Sequence, residues 1–349
     1  MEISPNNSSY LNTHAAIEEY ICNPKIGVYR FDTIASKIME YQLANNIPYN
    51  KFCDHSNFDS ACSWREFPAI STDAFKSSTS PSCLSSIERK IQFMTSGTTG
   101  EQRGSHYFRD AKIYELSILE AWKQLALPKP ENLLILTPSP IEAPHSSLSH
   151  MMETLRRAYC PDAKYLIVKD QLDAQAVIEA SKNGHAVTLL GTALSFLNLF
   201  EMLESPIELP SGSWAMETGG YKGSGRSLTK EQLYSKFDHF LGISSDNVWN
   251  EYSMTELSSQ CYTRGLGQAH TSPPWMKIRV VHPESDTDVK PGEMGYLVIY
   301  DLANVDSVCA IRTQDLAIYH DEHRFTLIGR DPSALPRGCS RSMDDRLNT

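Results

Sequence analysis

"ENLLILTPSPIEAPHSSLSHMMETLRRAYCPDAKYLIVKD", residues 131–170, sets the architecture. NLLILTP is short, apolar and closed by Pro, the pattern of a buried strand. SLSHMMETLRRAY spaces its apolar residues three and four apart, the pattern of an amphipathic helix, and AKYLIV reads as a second strand. The alternation runs on: DAQAVIEASKN as helix, AVTLLG as strand, ALSFLNLFEML as helix, SWAMET as strand. Short apolar strands separated by helices predict a largely parallel, helix-flanked sheet and an α/β fold class.

Upstream, DAKIYELSILEAWKQLAL predicts an amphipathic helix with Asp110 at its N-cap, and KIQFM a strand. Residues 14–45 read as helical, and residues 50–90, rich in Ser, Asp, Cys and Pro, as irregular. Beyond about residue 270 the pattern changes. WMKIRVVHP, MGYLVIYDL, LAIYHDE and HRFTLIG are strands at short spacing, a smaller antiparallel β region. The polar RDPSALPRGCSRSMDDRLNT that follows reads as a tail.

The 349 residues are enough for a sizeable core in one large or two modest domains. A net charge of −10 without a basic block argues against non-specific nucleic-acid binding, while leaving room for a locally positive nucleotide pocket. Apolar runs fall short of a membrane span, and the start lacks the basic and apolar regions of a secretory signal. Eight scattered cysteines, with no C-x-x-C pair, suit free thiols and a cytoplasmic location.

Four segments carry candidate chemistry. TSGTTGEQR (95–103) offers the Gly-permitted backbone, hydroxyls and guanidinium that suit phosphate oxygens, although such clusters are also ordinary loop material; it lacks the Lys of a Walker A loop. ETGGYKG (217–223) places two glycines after a strand. NEYSMTE (250–256) offers an aromatic face, a hydroxyl and a hard oxygen ligand for Mg²⁺, or equally a capped helix start. RTQDLA (312–317) precedes LIGRD (327–331). HDEH (320–323) reads better as a hairpin turn than as metal ligands, and no G-x-S-x-G elbow supports a serine hydrolase.

In order and spacing these segments resemble the adenylate-forming superfamily of acyl-CoA synthetases, adenylation domains and luciferases. The resemblance implies that superfamily's N-terminal-domain fold, with ATP and Mg²⁺ as cofactors. It places Thr95, Ser96, Gly97, Thr98, Thr99, Gly100 and Arg103 on the ATP phosphates, and Gly219, Gly220 and Tyr252 against adenine. It places Thr255 on the α-phosphate, Glu256 on the metal, Asp315 on the ribose and Arg330 at the Gly-Arg hinge. Ser253 and Gln314 stand where relatives commonly carry Gly. His145, Ser146 and Ser147 are candidates to line an acyl pocket; helix capping by the serines is the equal alternative.

Most relatives continue past the hinge into a mobile domain bearing the adenylation lysine; here nineteen residues follow Arg330, so that domain is expected to be absent. Lys222, Arg103, Arg337 or Arg341 could supply the charge, with Lys222 preferred for its flanking glycines. With ETGGYKG, PSP…PHSSLSHM and GRDPSALPRGCS, this short form resembles the bioluminescence acyl-protein synthetase (LuxE-like) family. That family activates a fatty acid with ATP, loads the acyl group onto its own C-terminal cysteine and passes it to a reductase. The resemblance therefore implies a carboxylic acid substrate, Cys339 as acyl acceptor, and an acyl-accepting partner such as a reductase or carrier protein. Coenzyme A ligation and a silent nucleotide-binding scaffold are the other readings. The expected divisions are 1–85, a helical and irregular segment packed on the core; 86–330, the adenylate-forming core; and 331–349, the tail.

Overall fold

The computed structural model describes residues 7–24, 30–56, 58, 63–77, 80–95, 102–219 and 228–331. The chain divides into two units, one of 1–124, 254–259 and 269–349, the other of 125–253 and 260–268.

The first unit begins with helices α1 (Asn7–Cys22), α2 (Phe31–Asn45) and α3 (Ile47–His55). The helical reading of 14–45 thus resolves into two helices separated after Cys22. In α2 the buried Ile34, Ala35, Ile38 and Met39 recur at helical spacing. Asn46 caps α3 by accepting from Tyr49 N, and a proline occupies the first turn. The stretch read as irregular carries the end of α3, two 3₁₀ turns and the strand β1 (Ile70–Ser71). Strands β2 (Ile91–Met94) and β3 (Ser105–Phe108) form an antiparallel hairpin. Helix α4 (Lys112–Gln124) follows, with the Asp110 carboxylate accepting from Lys112 N at 2.9 Å.

The second unit runs β4 (Leu133–Leu136), α5 (Ser147–Tyr159), β5 (Lys164–Tyr165), β6 (Ile167–Val168), β7 (Gln171–Leu172), α6 (Ala174–Ser181), β8 (Thr188–Thr192), α7 (Ala193–Met202), β9 (Trp214–Thr218), α8 (Lys230–Leu241), β10 (Val248–Tyr252) and β11 (Cys261–Arg264). Its sheet order is β11-β10-β9-β8-β4-β5, parallel from β10 to β5, with β11 antiparallel to β10. Phe196 and Phe200 of α7 meet Phe237 of α8 at ring-centroid separations of 4.6 and 5.2 Å over the buried Leu189, Ala215 and Val248. Each such ring stabilises the unit by about 1.5–3 kcal/mol. Gly191 in β8 permits this closeness: a Cβ there would lie 2.8 Å from Leu136 Cβ and 2.9 Å from Ser195 Oγ.

The chain returns to the first unit with β12 (His270–Thr271), β13 (Met276–Val281), β14 (Met294–Asp301), β15 (Ala310–Asp321) and β16 (Arg324–Arg330). These form an antiparallel sheet in the order β13-β14-β15-β16-β12, and β1 joins β15 in parallel through Ile70 and Ile311. The expected hairpin turn falls on Glu322 and His323. The N-terminal helices dock on the β14–β15 connection. Gln42, fully buried, donates to Asn304 O (2.8 Å) and Val305 O (3.2 Å) and accepts from Cys309 N (3.1 Å), while Asn46 donates to Ser307 O (3.0 Å). Among the described residues no helix is long and apolar enough to cross a membrane.

Candidate functional site

In the first unit, Thr95 closes the β2–β3 hairpin. Its backbone N–H donates to Gly104 O at 2.9 Å, and its hydroxyl accepts from Gly104 N at 2.8 Å. Arg103 beside it is exposed. Ser96, Gly97, Thr98, Thr99 and Gly100 lie outside the described residues, as do Gly220, Lys222 and Cys339.

The Thr255–Glu256 segment is held by its main chain. His106 on β3 bonds Thr255 O through Nδ1 at 2.9 Å, and Asn304 donates to Glu256 O at 2.8 Å. A carbonyl can only accept, so Nδ1 carries the proton; in a neutral ring Nε2 then accepts from the Ser307 hydroxyl, 2.9 Å away. Burial keeps the ring neutral, pushing its pKa down to about 4. Two residues further on, the fully buried Asp301 at the end of β14 accepts from Ser258 N (2.9 Å), Ser259 N (2.8 Å), Ser259 Oγ (2.7 Å) and Ala303 N (3.0 Å). Burial pushes its carboxyl up to about 6, against those donors. Asp315 and Arg330 are register partners on β15 and β16, and the Arg330 guanidinium donates to Gln314 Oε1 at 2.7 Å.

In the second unit, Gly219 follows β9 directly, and Tyr252 ends the adjacent parallel β10. The structure therefore brings both to the carboxyl end of one sheet, where open α/β sheets bind ligands. Gly219 has φ +69°, which favours glycine, and among the described residues nothing lies within 4 Å of where its Cβ would stand. Tyr252 is 8 % exposed. His145 and Ser146 precede α5 and Ser147 begins it, in the connection after β4, a strand three places from β10 in the sheet. Ser146 is the N-cap of α5, its hydroxyl accepting from Ser149 N at 3.1 Å, and His145 is exposed.

Glu217 and Glu251 flank these positions and are buried. Glu217 pairs with Lys230 and accepts from the Tyr234 hydroxyl (3.2 Å); burial raises its pKa and Lys230 opposes the rise. Burial pushes Glu251 up to about 7. Neither these two, nor His106, Asp301 and Asn304, was singled out from sequence. The available signal was a charged residue closing an apolar strand, as in YLVIYD.

The model of the acyl-protein synthetase family, LuxE, matches residues 28–348. The chain belongs to that family. Its similarity to the long-chain-fatty-acid–luciferin-component ligase of Vibrio harveyi is 21% identity over 329 residues, covering 87% of this chain and 84% of that protein. Among solved structures, 2-hydroxyisobutyryl-CoA ligase, in an open conformation with 2-HIB-AMP and CoA, superposes with a TM-score of 0.62 at 14% identity over 88% of this chain and 76% of that one. ATP-bound MatB of Rhodopseudomonas palustris gives a TM-score of 0.51 at 15% identity over 71% of this chain. The chain spans about half, 49%, of MatB. The family shares its fold with these adenylate-forming enzymes.

Among the described residues no three His, Cys, Asp or Glu side chains converge as a metal site. Glu256 is 6 % exposed, and a carboxylate is the kind of hard oxygen ligand that Mg²⁺ takes.

Proposed function

We propose that the chain activates a carboxylic acid, of the fatty-acid class, with ATP and passes the acyl group to a thiol. A carboxylate oxygen of the acid attacks the α-phosphorus, pyrophosphate leaves, and a thiolate opens the resulting mixed anhydride with release of AMP. Cys339 is the proposed thiol, with Arg337 and Arg341 to favour its ionised form and Asp344 and Asp345 partly opposing them; a reductase or carrier protein is the next acceptor.

The observation that carries this reading is the family match combined with the anchoring of Thr255–Glu256 by main-chain atoms. Such an anchor fixes the path of the main chain that carries a hydroxyl and a carboxylate, which suits catalysis by positioning and charge neutralisation. In the proposed roles Thr255 meets the α-phosphate and Glu256 holds Mg²⁺, whose charge offsets that of the phosphates. Thr95 to Gly100 and Arg103 take the departing phosphates, Asp315 the ribose, and Gly219, Gly220 and Tyr252 the adenine. Lys222 supplies a cation for the phosphates, and His145, Ser146 and Ser147 line the acyl path.

Acid-dependent pyrophosphate exchange over a panel of straight-chain fatty acids tests the first half; no exchange with any acid refutes it. Labelled acid plus ATP tests the second half. A hydroxylamine-sensitive adduct should form on the parent and vanish in Cys339→Ser while exchange persists. An adduct that survives moves the nucleophile to another cysteine, and exchange without an adduct favours release to coenzyme A or a carrier.

A further inference from the structure

The parallel ladder between β9 and β10 ends at the register pair Thr218 and Glu251. Beyond it Gly219 leaves β9, while Tyr252, the last residue of β10, stays paired with Cys261 of β11. Register partners on parallel strands share a face. The Thr218 hydroxyl accordingly donates to Glu251 Oε2. One carboxyl therefore ties the residue before Gly219 to the residue before Tyr252.

The placement is costly. Glu251 is 1 % exposed, and among the described residues its second oxygen, Oε1, is buried without a hydrogen-bond partner. Its partner across the β10–β11 pair is Tyr262, and the Glu217 carboxylate adds repulsion. A buried acid with an unsatisfied oxygen opposes folding, and such local violations are expected where function sets the residue. Glutamine would fill the same space without charge.

We infer that Glu251 is a positioning residue which clamps the ends of β9 and β10 so that Gly219 and Tyr252 face one nucleotide at a fixed spacing. This rests on the proposed contact of those two residues with adenine. Glu251 touches no reacting atom; it acts through Thr218.

Calorimetric titration with ATP and Mg²⁺ needs no knowledge of the acid. Glu251→Ala and the nearly isosteric Thr218→Val should each raise the Kd for ATP about tenfold, equal to about 1.4 kcal/mol. Glu251→Gln, whose amide oxygen can still accept from the Thr218 hydroxyl, should stay within about threefold of the parent, a rescue that loss of packing alone would not show. Amide hydrogen exchange at 217–219 and 250–253 should quicken in Glu251→Ala. Unchanged exchange there refutes the clamp. Quickened exchange with an unchanged Kd refutes its role in nucleotide binding. A parent that binds no ATP overturns the adenine reading and with it that role; the amide data then decide separately whether the clamp exists.

Discussion

Asp301 is the residue whose replacement should be felt furthest from its own position. Two backbone N–H groups, Ser258 and Ser259, point at Oδ2; the Ser259 hydroxyl and Ala303 N–H point at Oδ1. In Asp301→Asn the amide oxygen can serve the two serine N–H groups, and its NH₂ can donate to the Ser259 hydroxyl. Only the Ala303 N–H is then orphaned, a loss of about 1–2 kcal/mol near pH 7.5. Asp301→Ala orphans every donor, and relaxation should hold the loss to about 3–5 kcal/mol. Because the same segment carries Thr255 and Glu256, a shift of about 1 Å should lower pyrophosphate exchange on the order of a hundredfold in the Ala variant. The pH dependence has a definite sign. A carboxyl raised from 3.8 to about 6 contributes stability that is complete below pH 4 and is lost as pH rises through 6. The full linkage is about 3 kcal/mol. The parent's advantage over Asn should therefore widen as pH falls from 7.5 to 5. Urea unfolding of parent, Asn and Ala at both pH values measures this. An Ala variant within 0.5 kcal/mol of the parent (about the spread of neutral surface changes), or a gap that narrows toward pH 5, refutes the reasoning.

Glu256→Gln should lower pyrophosphate exchange by about tenfold or more and raise the Mg²⁺ concentration at half-maximal rate, since a neutral amide is a weaker ligand for a hard cation; parental exchange would remove Glu256 from the metal site. Asp315→Ala should raise the KM for ATP about 10- to 100-fold, the equivalent of about 1.5–3 kcal/mol, and leave that for the acid nearly unchanged; steady-state kinetics at varied ATP decides. Gly191→Ala should destabilise by about 1–3 kcal/mol in urea unfolding, because the new methyl meets Leu136 and the capping Ser195 at under 3 Å.

The alternation from 131 to 218 was legible because each helix there shows its own apolar period; α5 occupies SLSHMMETLRRAY from end to end. AKYLIV did not stay one strand. Leu166 turns inward to bond Ile135 O, and Lys169 and Asp170, both with positive φ, fold Ile167–Val168 back onto Gln171–Leu172. RTQD, noticed as a motif, lies inside the twelve-residue β15, where half-buried polar residues mask the strand pattern. Helix α8 went unread although its signals are local: a capping box between Thr229 and Gln232, and Gly242 at the C-cap with φ +67°. The site divides in the same way. Residues that would touch ligand were marked by motif, whereas those that hold them depend on partners far along the chain. His106 reaches Thr255 across 149 positions and Asn304 reaches Glu256 across 48, and no window of sequence contains both ends.

The docking of the N-terminal helices on the β14–β15 connection has a consequence for biosynthesis. Gln42 bonds Cys309, 267 positions later, and β1 finds its place only beside β15. At ordinary rates of translation that interval lasts about 13–55 s. Throughout it the apolar face of α2 and a lone two-residue strand must wait without their final cover, while the second unit, nearly all of it earlier in the chain, can assemble first. The first unit is therefore the part of the newborn polypeptide most in need of a chaperone, and the last to become native.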